Sequence, residues 1–136
     1  MFPNGPVIMQ SIPGEYKMRV VGQFAWEASN GHSGAVHAGF VTDGASIPRF
    51  FWRFIGTPFG PYRDAAVVHD DLYNKAGQHK LTRKECDEIF YLLMLEIGIR
   101  KYTAWMMHKG VRAGGRSTWN GYFKRRQYTP GRVDIR

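Results

Sequence analysis

The first third of the chain alternates apolar and polar positions at the spacing of β-strands. Aromatic and β-branched residues give rough alternation over residues 15–28, which Gly22 interrupts as in a bulged strand or a hairpin. A turn at residues 30–34 leads to a second alternating stretch, 35–42, which ends at the turn signal Asp43-Gly44. The pattern therefore predicts a small antiparallel β element at the N-terminal end.

Helical spacing and helix boundary signals follow in four segments. The predicted helices span residues 49–55, 61–75, 82–97 and 100–113. Pro61 can open the second helix, and Gly77 closes it. Thr82 and Glu85 have the spacing of a capping box at the start of the third helix, which Gly98 ends.

The third helix carries one apolar stripe, which comprises Cys86, Ile89, Phe90, Leu93 and Ile97. Only about six residues separate it from the second helix, so we expect the two helices to pack as antiparallel neighbours. The sequence predicts an α+β fold with a small N-terminal antiparallel β element on a core of about four helices. A central antiparallel helix pair lies within that core.

The chain is long enough for one domain, and its positive charge is concentrated near the C-terminal end. Its 136 residues, 43% hydrophobic, suffice for one packed core. We expect a single α+β domain at residues 1–114 and a basic, aromatic extension at 115–136. Residues 99–136 hold ten Lys or Arg against Asp134 alone, so the net charge of +8 lies in this last quarter. An excess of this kind faces water, an acidic neighbouring subunit, phospholipid headgroups or nucleic acid, and no nucleic-acid-binding motif supports the last.

Other composition features narrow the class of protein. No stretch of eighteen apolar residues occurs, and the first residues lack the pattern of a secretory signal, so we expect neither a membrane span nor standard secretion. Cys86 is the single cysteine and cannot form an internal disulfide, which fits a small core residue in a reducing compartment.

Candidate chemistry lies on the central helix pair. His69 falls on the inward face of the second helix, and Asp87 lies one position off the apolar stripe of the third. A carboxylate that fixes the tautomer of an imidazole allows the ring to deprotonate a water molecule. Asp70, turned by about 100° from His69, could hold a divalent cation such as Ca²⁺ together with Asp43. The alternative for His69 is a buried histidine with satisfied hydrogen bonds. Asp71 is predicted to face outward.

Residues 64–73 carry the pattern His-Asp-x-x-Tyr on a predicted helix. This stretch resembles the active-site helix of the secreted and parvoviral-capsid phospholipases that cleave the sn-2 ester. The resemblance implies that His69 is the general base and Asp70 the calcium ligand, with Tyr73 and Asp87 as the supporting network. The glycine-rich calcium loop of those enzymes has no counterpart in residues 50–56.

A second resemblance covers more of the chain, roughly residues 15–110. Residues 39–49 read Gly-Phe-Val-Thr-Asp-Gly-Ala-Ser-Ile-Pro-Arg, and the Ala-Ala-x-x-His-Asp-x-x-Tyr helix follows. The two motifs together resemble a small uncharacterised family of tailed phages and prophages. The resemblance implies synthesis in a host cytoplasm, a place in the virion and other phage structural proteins as partners. In this setting Asp43 could reach either the cation or the His69 ring.

Two functions follow from these observations. The first is a tail-associated virion component whose phospholipase-like site hydrolyses lipid esters of the host envelope during infection, at an anionic phospholipid surface. The alternative is a purely structural tail or assembly protein in which the His-Asp cluster is a buried hydrogen-bond network. A hydrolase requires His69 close to a carboxylate and open to a cavity, whereas a sealed His69 favours the structural role.

Overall fold

The computed structural model describes residues 2–3, 5–14, 17–42, 63–76 and 78–127, with backbone alone for 125–127. Asp43 and the helix predicted over residues 49–55 lie outside the described residues, as does the part of the extension after residue 127.

Five short strands form two antiparallel sheets in the described N-terminal part. They are β1 (Met9–Ser11), β2 (Met18–Val20), β3 (Phe24–Glu27), β4 (Ser33–Val36) and β5 (Val41–Thr42). One sheet has the order β1-β2-β5, and the other is the β3-β4 hairpin. In the first sheet Met18 pairs with Ser11 on one side and with Thr42 on the other.

The predicted strands are divided differently in the structure. The segment expected to be one bulged strand or a hairpin within residues 15–28 contains β2 and β3, which belong to separate sheets. Gly22 lies between them with a φ of 80°, a left-handed conformation in which an extended strand cannot continue. The second predicted strand, 35–42, likewise contributes to β4 and β5 rather than to one strand.

The described residues contain four helices, which are α1 (Arg63–Asn74), α2 (Arg83–Ile97), α3 (Lys101–Gly114) and α4 (Arg116–Gln127). The capping box of α2 is confirmed, since Thr82 accepts from the Glu85 backbone and Glu85 accepts from the Thr82 backbone. Gly98 ends α2 in a left-handed conformation, with a φ of 101°. None of these four helices is long and apolar enough to cross a membrane.

Helix α4 was not predicted from the sequence, which indicated an extension over these residues. Its Trp119 packs edge-on against Tyr73 of α1, with 5.2 Å between the ring centroids. The first part of the basic segment therefore packs against α1 and α3.

One hydrophobic core joins the sheets to the helices. Phe24, Trp26 and Val36 of the β3-β4 hairpin are buried in it. The predicted stripe of α2 is confirmed, because Cys86, Ile89, Phe90 and Leu93 are fully buried and Ile97 is partly buried. The α+β class and its helical core are as predicted, and α1 lies between the sheets and the other helices.

Candidate functional site

Helix α1 is buried along most of its length, including its ionisable side chains. Residues 65–73 are all buried, and among them His69 and Tyr73 have no exposed area. The helix is covered by the sheets on one side and by α2 and α4 on others. Polar groups buried in this way need hydrogen-bond partners inside the protein.

The partner of His69 comes from the neighbouring helix. Nε2 of His69 lies 2.8 Å from Oδ1 of Asp87, and neither side chain is exposed. The pair joins α1 to α2 in the middle of the core. These two residues thus meet as the predicted antiparallel helix pair requires, while a catalytic role for them stays a prediction.

Three further side chains hold the same carboxylate. Tyr73 donates its hydroxyl to Oδ1 of Asp87 over 2.6 Å. On the other oxygen, Oδ2, Arg112 donates over 2.8 Å and Arg83 over 3.5 Å. Asp87 therefore accepts from α1, α2 and α3, and we call His69, Tyr73, Arg83, Asp87 and Arg112 the Asp87 cluster.

Arg83 also stabilises the end of α3. It donates to the carbonyl of Val111 over 3.1 Å and to that of Arg112 over 3.2 Å. The Val111 carbonyl also accepts from the Gly115 backbone, and a cation at this position opposes the negative end of the helix dipole.

The Asp87 cluster keeps the carboxylate ionised. Burial alone raises the pKa of Asp87, but hydrogen bonds from His69, Tyr73 and Arg112 outweigh burial and hold the pKa below its usual value. The pKa of the Tyr73 hydroxyl is raised, chiefly by burial and then by the charge of Asp87. At neutral pH the site therefore holds a negative carboxylate and a neutral phenol.

Aromatic rings enclose His69. The imidazole centroid lies 4.3 Å from that of Tyr73 and 4.6 Å from that of Phe90. His69 does not line the groove between α2 and α3 or the cavity beside Phe2. A hydrolase requires His69 to lie close to a carboxylate and to open to a cavity. The first requirement is met, but the His69 side chain has no exposed area.

Sequence reasoning missed the two arginines. Arg83 lies four residues before Asp87 on the same helix, a spacing at which opposite charges meet, so the local sequence carried that signal. Arg112 lies 25 positions away from Asp87 on another helix. No local spacing indicates a contact of that kind.

Asp70 is tied to the end of β5. Thr42 donates its hydroxyl to Oδ2 of Asp70 over 2.5 Å, and both residues are buried. The contact brings the Thr-Asp turn motif of the sequence to the His-Asp helix. Asp43, the second predicted metal ligand, lies outside the described residues.

The described residues do not by themselves assemble a metal site. In the ranges given above, no three His, Cys, Asp or Glu side chains come close enough to hold an ion. Asp70 remains the predicted ligand in this part of the chain.

The predicted orientation of Asp71 was wrong. The side chain was predicted to face outward, but it is buried, with a relative exposure of 3%. Its Oδ2 still pairs with Nζ of Lys75 over 3.1 Å, while Oδ1 has no hydrogen-bond partner among the described residues. Burial is the main cause that raises the pKa of this carboxyl.

Comparison with known proteins places the chain in a family. Residues 18–111 match the model of a family described as a protein of unknown function, DUF1353. The chain belongs to the DUF1353 family. The match covers nearly the same span as the resemblance noted in the sequence. It reaches from β2 to the last turn of α3, so that Asp70 and every member of the Asp87 cluster except Arg112 lie within it.

Two relatives are uncharacterised proteins of Sinorhizobium fredii. Protein y4iH is 34% identical over 114 residues, which are 82% of this chain and 46% of y4iH. Protein y4jT is 34% identical over 93 residues, which are 68% of this chain and 27% of y4jT. The chain thus spans less than half the length of these relatives. No solved structure matches it. The phage setting and the phospholipase-like chemistry stay predictions.

Proposed function

We propose that this DUF1353 chain is a tail-associated component of a phage virion whose His69 site hydrolyses ester bonds of envelope lipids during infection. The single observation that carries the chemical part is the 2.8 Å contact of His69 Nε2 with Asp87 Oδ1, on which the Tyr73 hydroxyl also converges. A histidine held by an ionised carboxylate is the arrangement of a general base.

The ionised state of Asp87 assigns different roles to the two ring nitrogens of His69. Asp87 accepts the Nε2 proton of His69, so the base is Nδ1, the other ring nitrogen. Nδ1 takes a proton from a water molecule as the water oxygen attacks the ester carbonyl. The tetrahedral intermediate then expels the alcohol, which receives that proton from the imidazolium, and a fatty acid and a lysolipid remain.

The predicted cation would have a limited role. A bound Ca²⁺ at Asp70 would polarise the ester carbonyl. Because the described residues do not complete such a site, the proton transfers assigned to His69 are the steps that this chain supports.

The virion setting is supported by how two sequence motifs meet. Thr42 belongs to the Thr-Asp-x-Ala-Ser-Ile-Pro-Arg motif on which the phage resemblance depends, and its hydroxyl contacts Asp70 beside His69. Both motifs therefore contribute to one site. Other phage structural proteins and an anionic phospholipid surface are the partners that this setting implies.

A second function, a structural one, is favoured by two other observations. The His69 ring has no exposed area, whereas a general base must reach a water molecule. Asp87 also shares its charge with Arg83 and Arg112, which leaves less of it to stabilise an imidazolium. Under this function the Asp87 cluster is a satisfied network that fixes the register of the helices.

Fatty acid release from mixed phospholipid vesicles separates the two functions. Wild type is compared with His69→Asn and with His32→Asn, a control in the partly exposed turn between β3 and β4, with Ca²⁺ and with a chelator. The hydrolase function predicts release that falls about 100-fold or more in His69→Asn and persists in the control. Background release by all three proteins would rule out the hydrolase function and favour the structural one. The copy number in purified virions tests the phage assignment separately.

A further inference from the structure

A groove opens on the outer side of the α2 and α3 pair, away from the buried ring of His69. Its volume is about 430 Å³, which lies within the range of pockets for small ligands. The lining includes Lys84, Glu88, Tyr91, Trp105, Lys109 and Arg112. Two helix faces therefore bring charged and aromatic side chains together on a surface that shares Arg112 with the Asp87 cluster.

The groove carries an excess of positive charge. Lys84 and Lys109 have no ion pair with any residue that the structure describes, whereas Glu88 is the one carboxylate in the lining. His108 also faces the groove, and burial is the main cause that lowers its pKa, so it adds no charge at neutral pH. Arg112 is shared with the buried Asp87, so Lys84 and Lys109 against Glu88 supply the uncompensated positive charge of the lining, which favours an anion.

Aromatic rings form the apolar part of the groove. Trp105 is 48% exposed, and Nζ of Lys109 lies 5.8 Å from its ring centroid. The Tyr91 ring lies 5.5 Å from that of His108. A cation held over an indole is positioned rather than free to extend into solvent.

Arg112 connects the groove to the buried carboxylate. Its Nη1 donates to Oδ2 of Asp87, and about a third of the side chain remains exposed, at 31%. Guanidinium groups have five donors in a planar fork, so this side chain can hold Asp87 and a second oxygen anion at once.

We propose that this groove binds a phosphate group, with Lys84, Lys109 and Arg112 as the cationic contacts and Trp105 beside the organic part of the ligand. Phosphate is an anion whose several oxygens can accept hydrogen bonds from Lys84, Lys109 and Arg112 together. The group could belong to a small soluble phosphate ester or to a phospholipid headgroup. This inference does not depend on catalysis by His69.

Binding is measured at low ionic strength with three probes, which are inorganic phosphate, glycerol 3-phosphate and vesicles of phosphatidylglycerol in phosphatidylcholine. Lys84→Gln and Lys109→Gln remove groove charges. Lys101→Gln is the matched control, because Lys101 is exposed on α3 and does not line the groove. We expect each groove variant to weaken binding about two- to fivefold and the double variant more, with the control unchanged.

The outcomes assign the source of the phosphate or overturn the proposal. Saturable binding of glycerol 3-phosphate that depends on the two groove lysines indicates a soluble ester, and the same dependence with vesicles alone indicates a headgroup. The proposal fails if none of the probes binds saturably, or if Lys101→Gln weakens binding as much as the groove variants do. Circular dichroism of each variant shows that the fold is retained. Hydrolysis by His69 could be absent with the groove intact, so the two proposals fail separately.

Discussion

The hydroxyl of Tyr73 lies 2.6 Å from the same Asp87 oxygen that contacts His69, across the interface of α1 and α2. A buried hydroxyl that donates to a carboxylate makes one of the stronger hydrogen bonds in a protein. Together with the Arg112 contact from α3, it makes Asp87 the point at which three helices are joined, whichever function the cluster has.

Tyr73→Phe removes that hydroxyl and leaves the ring in place. We expect the free energy of unfolding to fall by about 1.5–3 kcal/mol, the usual worth of a hydrogen bond to a charged group. Urea unfolding measures it. Tyr91→Phe is the matched control, since Tyr91 is partly exposed on α2 and makes no hydrogen bond to Asp87. Equal losses in the two variants would contradict a special role for the Tyr73 hydroxyl.

Asp87→Asn should destabilise the protein by about 3 kcal/mol at neutral pH, because the arginines and His69 lose their buried anion. The pKa of Asp87 is lower in the folded protein than the ordinary value of 3.8. Its contribution to stability is therefore fully present above pH 3.8 and is lost as the pH falls through the lower, folded-state pKa.

Urea unfolding of wild type and Asp87→Asn at several pH values checks that dependence. The difference in unfolding free energy should be largest near neutral pH and should shrink as the pH falls below about 4. A difference that stays constant down to acid pH would mean that Asp87 carries no lowered pKa.

Asp71→Asn should give the opposite trend. Burial holds the pKa of Asp71 above 3.8 in the folded protein, so its ionisation costs stability as the pH rises from 3.8 through the folded-state pKa. Relative to the Asn variant, wild type should lose stability over that window and then level off, because Asp71 is ionised in both states above its folded-state pKa. The Lys75 contact reduces the size of the loss. The same unfolding series measures it, and a trend parallel to that of Asp87→Asn would refute the assignment.

Local signals in the sequence predicted the parts of the fold that depend on neighbouring residues. The capping box of Thr82 and Glu85 and the left-handed Gly98 are set within one turn of α2, and both are present. The pairing of β2 with β5 is a contact between distant segments, so alternation over residues 15–28 could not show that this stretch would divide between two sheets. Tertiary pairing decided the strand boundaries.

The contacts of the candidate site also divide into those that the sequence could predict and those that depend on tertiary packing. His69 and Asp87 could be predicted to meet because each lies near an inward stripe of two antiparallel helices. Arg112 reaches Asp87 because α3 packs on α2, and no spacing of residues within the sequence indicates that contact. Helix α4 was missed because its polar residues outnumber its apolar ones, so its sequence carries no clear apolar stripe, and the packing of Trp119 on Tyr73 of α1 is a tertiary contact.

Trp119→Ala tests whether α4 is an integral part of this fold. Trp119 is 9% exposed, and its ring lies 5.2 Å from Tyr73 and 5.8 Å from His79 between centroids. Removing so large a buried side chain should lower the free energy of unfolding by about 3–5 kcal/mol, through lost burial and the cavity left beside Tyr73. Phe123→Ala on the same helix is the control, because Phe123 is 39% exposed and its loss should cost about 0.5 kcal/mol or less. Urea unfolding followed by tyrosine and tryptophan fluorescence distinguishes the two variants. If both cost the same small amount, α4 does not stabilise the Asp87 cluster through Tyr73, and the basic segment is then better described as an attachment than as part of the core.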